Sequence, residues 1–329
     1  MRTATRARLQ PLLSEQDGVL TSAQLADLGI DPELPRRAGW TALAPRVWCT
    51  TGDPPRDEQL LEGLRLHTGP DTVPSGALAC RRLGLRDVPD RAVADVLVTH
   101  GRRLTSGGLT VVHQSERMPD AIRRGGWQLA PASRAVADAV RWSGGLRPAR
   151  ALVLAALADQ FVVTGDLERE LAAGQRRGGA ALAHALDDWR QGARSAPEAE
   201  VADALRALPR STRLPPFLLN PILSLHGRLI GTPDGYLPEL ALGWEVDSLR
   251  HHGSSDDLAA TLARHQTFAD AGVELVHVVP TAFRRDRRGW ARTFTARAAR
   301  HAAQGRRAPA GLVVLPADAR LAPPASLVA

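Results

Sequence analysis

Between Gly231 and Gly253 the chain reads GTPDGYLPELALGWEVDSLRHHG. Asp234 follows Pro233, an apolar strand-like run ends in Glu245-Val246-Asp247, and His251-His252 come next. Alternate residues of a strand face one side, so Glu245 and Asp247 project together. If Asp234 ends a neighbouring strand, three carboxylates converge with an imidazole. Oxygen ligands of this kind suit a hard divalent cation. A carboxylate-held Mg²⁺ or Mn²⁺ can activate water and stabilise a leaving phosphate oxygen. Plainer readings stand beside this one. Pro233-Asp234-Gly235 is a strong turn signal in its own right, and Arg250 is a candidate partner for Glu245 or Asp247. Those two carboxylates interrupt a run, Leu240 to Trp244, that otherwise reads as buried, where an unpaired charge is costly.

Upstream, Ser195-Ala-Pro-Glu198 has the spacing of a capping box and opens a helix through Leu205. Capping accounts for Glu198 without any chemistry, and the two roles are compatible. Glu200 lies on a different face of the same helix. Downstream, Ser255 is expected to cap a helix through Ala271, and Val273 to Val279 forms a continuous apolar strand, as in a sheet covered on both faces. The last helix, from Trp290 to Ala302, follows Arg284, Arg285, Arg287 and Arg288, a patch suited to a phosphate backbone.

Taken together, Pro233-Asp234, Glu245-Val246-Asp247-Ser248 and His252 resemble the core of the PD-(D/E)xK nuclease superfamily, and within it the DUF559 or Vsr-like endonuclease-related proteins. Leu262-Ala263-Arg264-His265, Ala271-Gly272-Val273 and Val276-His277-Val278-Val279-Pro280 continue that resemblance, which spans residues 191–305. It implies a restriction-endonuclease-like α/β domain. Asp234, Glu245 and Asp247 would hold Mg²⁺ or Mn²⁺, Glu198 would be the first acidic residue, and His252 the base. Arg264 and His265 would face nucleic acid.

One departure matters more than any match. The chain has no lysine, so all 42 of its Lys+Arg residues are arginine. Asp247 stands where the motif's Lys belongs. A Lys there would neutralise developing phosphate charge; an Asp cannot, and adds a metal ligand or orients water instead. The site is then either a variant metal site or a decayed one.

The length of 329 residues points to two or three domains. A hydrophobic content of 44% with 23% charged residues is that of a soluble globular chain. The net charge of +7 favours a polyanionic partner, nucleic acid above all. Cys49 and Cys80 have no zinc spacing and fit a reducing cytoplasm. The segment MRTATRARLQPLL is basic without the apolar core of a signal peptide, and no run is long enough to span a bilayer.

Residues 1–52 read as helix, a second helix capped by Thr21, a short helix near Leu34-Pro35-Arg36-Arg37, and two strands around Pro45. That is the order of a winged helix-turn-helix, and the segment resembles the N-terminal domain of AbiEi-type antitoxins. Pro35 lacks the N–H needed one turn into a helix, so the third helix is short or distorted, while Arg36 and Arg37 remain able to reach phosphates. Residues 53–147 read as a small α+β domain. It has helices at 57–67, 75–83 and 132–140 and strands at 96–100, 109–113 and 127–129, with Ser75 expected as a cap. His100 and His113 end adjacent strands there and read as surface or hydrogen-bonded histidines. Residues 148–190 read as connecting helices, with Thr164-Gly-Asp166 capping one. Residues 306–329 read as a tail in which Leu312 to Leu315 could add an edge strand.

The expectation is therefore an α/β multidomain DNA-binding protein with an endonuclease-like domain. The alternative is a non-catalytic AbiEi-type regulator with a degenerate nuclease fold, for which an adjacent nucleotidyltransferase-like toxin gene would be the partner.

Overall fold

A computed structural model describes residues 3–50, 54–69, 72–175, 178–247 and 255–318, with backbone only at residues 3, 4 and 255–262. The protein is mixed α/β and divides into two compact units, residues 1–185 and 186–329.

The first unit opens with α1 (Thr3–Glu15), β1 (Val19–Thr21), α2 (Ser22–Asp27), α3 (Leu34–Arg37), β2 (Thr41–Ala44) and β3 (Val47–Cys49). Thr21 caps α2: its hydroxyl accepts from the Gln24 amide at 3.1 Å while the Gln24 side chain accepts from the Thr21 amide at 2.8 Å. The segment before that cap is a strand as well as a lead-in. β1 pairs with β3, which pairs with β2, all antiparallel. The third helix is only four residues long, with Pro35 in its first turn, as the missing N–H requires.

The unit continues with α4 (Asp57–Thr68), β4 (Val73–Pro74), α5 (Gly76–Leu83), β5 (Ala94–Thr99), β6 (Thr110–Ser115), β7 (Ile122–Arg124), β8 (Trp127–Leu129) and α6 (Ala132–Ser143). Helices α7 (Leu146–Ala158), α8 (Thr164–Ala173) and α9 (Gly179–Arg190) follow, and the division between units falls within α9. Val19, Leu43 and Val47 share one apolar cluster with Leu61, Leu78 and Val96, so residues 1–52 and 53–147 have a common core. Two expected caps differ. The Ser75 hydroxyl donates to Asp138 Oδ2 at 2.8 Å and accepts from no amide of α5, so it makes no cap. Thr164 is the first residue of α8 rather than its cap. His113 lies 2.8 Å from Asp95 Oδ1 and stacks on Trp142 at 3.7 Å, a hydrogen-bonded histidine.

The second unit runs α10 (Ala196–Arg206), β9 (Leu218–Leu219), β10 (Ile222–Leu225), β11 (Arg228–Gly231), β12 (Gly235–Leu237), β13 (Leu242–Val246), α11 (Ser255–Asp270), β14 (Glu274–Val278), α12 (Pro280–Arg285), α13 (Arg287–Ala303) and β15 (Leu312–Leu315). One sheet has the order β14-β13-β12-β9, with β13 and β14 parallel. A parallel neighbour needs a crossover connection, and α11 supplies it. A second sheet, β11-β10-β15, is antiparallel and takes its last strand from residues read as a tail. β14 is an edge strand, so most of it is half-buried or exposed rather than covered on both faces.

The core of this unit is aromatic. Trp244 is fully buried, with Phe217 and Phe294 edge-on at 5.2 and 5.6 Å. Gly235 is its register partner on β12, and a Cβ there would lie 2.0 Å from the indole. Gly235 is therefore demanded by packing, and the turn reading of Pro233-Asp234-Gly235 gives way to the start of a strand. Among the described residues no helix is long and apolar enough to cross a membrane.

Candidate carboxylate site

Asp234 immediately precedes β12 instead of ending a strand, yet it reaches the C-terminal end of β13. The Val246 amide donates to its Oδ2 at 2.6 Å. Glu245 is the next residue back on β13, 4% exposed. Its Oε1 is paired with Arg264 from α11, and its Oε2 is buried with no hydrogen-bond partner among the described residues. Arg264 thus turns inward onto the carboxylate, in the role considered for Arg250, which lies outside the described residues together with His251 and His252.

Glu198 is in the first turn of α10. Ser195 donates its hydroxyl to Oε1 at 2.7 Å, and the Arg194 amide and Asn220 Nδ2 donate to Oε2 at 2.8 and 2.5 Å. Those donors offset the burial of the carboxylate. Ser195 caps α10 by accepting from the Glu198 amide at 3.4 Å, while the Glu198 side chain reaches back to the Arg194 amide rather than to that of Ser195, so only half of the expected capping box forms. Glu200 accepts from Arg284 at 3.1 Å and has Arg287 Nη2 at 3.5 Å, apart from these contacts.

Three carboxyls show the same electrostatic signature. Burial, and then the neighbouring charges of Glu198 and Glu245, push Asp234 well above the usual carboxylate range. Burial also raises Glu198 and Glu245, against the pull of their hydrogen-bond donors in the first case and of Arg264 in the second. Mutual repulsion among partly desolvated carboxylates is the condition that a proton or a cation relieves.

Asp247 lies one residue beyond β13. Its Oδ1 is 3.1 Å from His277 Nδ1, and its amide donates to Val278. His277 is the register partner of Glu245 across the parallel pair, which places it beside the carboxylates. His265, from α11, has its ring 4.2 Å from that of His277. Burial, then His277 and Arg264, pull His265 below its ordinary value. The site end of the sheet therefore gathers Asp234, Glu245, Asp247, Arg264, His265 and His277, with Glu198 adding its charge. His277 and Asn220 were not singled out from sequence. The polar break in Val276-His277-Val278 was a usable signal for the first; the second has none, since only the fold brings it to Glu198.

The other basic residues go elsewhere. Arg36 and Arg37 are exposed on α3, paired with Glu33 and Asp31. Arg284 is half-buried against Glu200, and Arg285 is exposed. The orphaned Glu245 Oε2 and the raised Asp234 carboxyl leave this end of the sheet with an unpaired acceptor beside excess negative charge.

No family model matches this chain, and no curated protein matches it either. Among solved structures, the crystal structure of the RV2827C protein from Mycobacterium tuberculosis is 18% identical, covering 57% of this chain and 78% of that one with a TM-score of 0.36. A likeness so distant carries neither fold nor function across.

Proposed function

We propose that the second unit is an endonuclease-like domain that hydrolyses phosphodiesters with a divalent cation, attached to an N-terminal winged helix-turn-helix that engages DNA. The observation that carries this reading is the placement of Asp234, held by the Val246 amide at 2.6 Å, at the end of β13 beside the buried Glu245, where burial raises both carboxyls. Asp234 and Glu245 would hold Mg²⁺ or Mn²⁺, Asp247 would assist as a ligand or by orienting water, and Glu198 would add negative charge to the surroundings. A bound cation supplies charge for the leaving oxygen and lowers the pKa of a water. The chain's own part is to keep the carboxylates together without bulk water and to present Arg264 as the guanidinium nearest the phosphate. The order helix, antiparallel strands, crossover helix, parallel strand supports a restriction-endonuclease-like domain. The order α1-β1-α2-α3-β2-β3 supports a winged helix.

A second reading has its own support. Arg264 already neutralises Glu245, no lysine is present, and α3 is a four-residue stub. These favour a non-catalytic regulator of the AbiEi-antitoxin kind, with a toxin partner and a degenerate nuclease fold. Calorimetry with Mg²⁺ and Mn²⁺ on wild type, Asp234→Ala and Glu245→Ala separates the two, followed by nicking of supercoiled DNA. Cation binding and nicking lost in both variants support the nuclease. A folded wild type that binds neither cation moves the assignment to the regulator.

A further inference from the structure

A groove of about 680 Å³ lies on the second unit where α10 meets α13, and neither Asp234 nor Glu198 lines it. Its floor is apolar and made largely of small residues, Ala204 from α10, Ala207, Leu208 and Pro209 after it, and Ala291 from α13. Small side chains at the helix crossing are what leave the space open. The α13 wall carries Arg287, Arg288 and Arg292. Arg288 and Arg292 are one helical turn apart and share a face, and both are exposed. The α10 wall contributes Glu200 and Asp203. Glu200 is 5% exposed and already holds Arg284 and Arg287, so it orients guanidiniums rather than repelling an anion. With Arg284, four guanidiniums face two carboxylates.

We infer that this groove binds a nucleoside phosphate unit, with the base on the Ala204–Pro209 floor and the phosphate on Arg288 and Arg292. Its volume is in the range of about 300–1,000 Å³ typical of small-ligand sites, whereas an acidic helix from a partner protein needs a longer trough. A planar, weakly polar base matches an apolar floor, and paired guanidiniums match phosphate oxygens bidentately. The ligand is a free nucleotide or the end of a nucleic-acid strand, two sources with one chemistry.

The test is titration of the full chain with AMP, a 5′-phosphorylated dinucleotide, inorganic phosphate and a helical Glu-rich peptide, followed by calorimetry. Arg288→Glu with Arg292→Glu, and separately Ala204→Trp to fill the floor, are expected to weaken nucleotide binding at least tenfold, with folding checked by circular dichroism. Binding of both AMP and the dinucleotide makes this a free-nucleotide site; binding of the dinucleotide alone makes it a strand-end site. Inorganic phosphate binding as tightly as AMP overturns the role of the floor. Binding by the peptide alone, or no nucleotide binding by folded wild type, overturns the inference. Asp234→Asn is run alongside and is expected to bind nucleotide normally while losing Mn²⁺. Failure of the groove thus leaves cation binding intact, and failure of the cation site leaves nucleotide binding intact.

Discussion

The Val246 amide and the Asp234 carboxylate are locked together at 2.6 Å, which joins the residue before β12 to the last residue of β13. That bond fixes one oxygen of Asp234, whose carboxyl also feels the charges of Glu198 and Glu245. The same residue therefore both ties the sheet and concentrates negative charge at its end.

Asp234→Asn keeps an oxygen for the Val246 amide and removes the charge. The Asp234 pKa is raised in the folded protein above the ordinary 3.8, so the fold holds this proton more tightly than the unfolded chain does. Its stabilising contribution is full below 3.8 and is lost as pH rises through the raised value. The Asn variant is expected to be more stable than wild type at pH 8, with the gain gone at acid pH. Urea unfolding at both pH values checks this; an Asn variant weaker than wild type at pH 8 refutes it.

Arg264→Ala leaves Glu245 buried without its guanidinium. Because Arg264 is itself half-exposed, the expected cost is about 1–2 kcal/mol rather than the larger loss of a fully buried pair. Added Mn²⁺ is expected to restore more stability to this variant than to wild type. Thermal melts with and without Mn²⁺ measure the difference.

Glu198→Ala removes the acceptor shared by Ser195, the Arg194 amide and Asn220, and a loss of about 2–3 kcal/mol is expected. Glu198→Gln retains most of that geometry and should fold nearly as wild type. Calorimetry then asks whether Mn²⁺ affinity falls in the Gln variant. A fall places the charge in the cation's surroundings; no change confines Glu198 to capping.

Gly235→Ala drives a methyl into the Trp244 indole. An overpacked core of this kind costs about 1–3 kcal/mol or more, seen as a lower urea midpoint and altered tryptophan fluorescence. An unshifted midpoint would show that β12 can move away from Trp244.

Much of this architecture is written in local pattern. Thr21 and Ser195 announce helix starts through their spacing to Gln24 and Glu198, and the β13 strand is legible in Leu242 to Val246. What escaped is what depends on distant partners. Ser75 has the spacing of a cap, yet its hydroxyl goes to Asp138, far along the chain. Val19-Leu20-Thr21 is too short to read as a strand until β3 pairs with it. Asp234 reads as a turn residue because only Trp244, across the sheet, explains why glycine must follow it. At the site, Glu245 and Asp247 were legible as costly charges in an apolar run. The pairing of Arg264 with Glu245 and of His277 with Asp247 depends on how α11 and β14 pack against β13.

The pairing of β15 with β10 also sets an order in time. During synthesis β10 and β11 can form their hairpin early, but the far edge of β10 stays open until Leu312–Leu315 has been made. At ordinary elongation rates that interval is on the order of ten seconds. For that period a half-finished sheet presents unsatisfied backbone donors and acceptors along the open edge of β10.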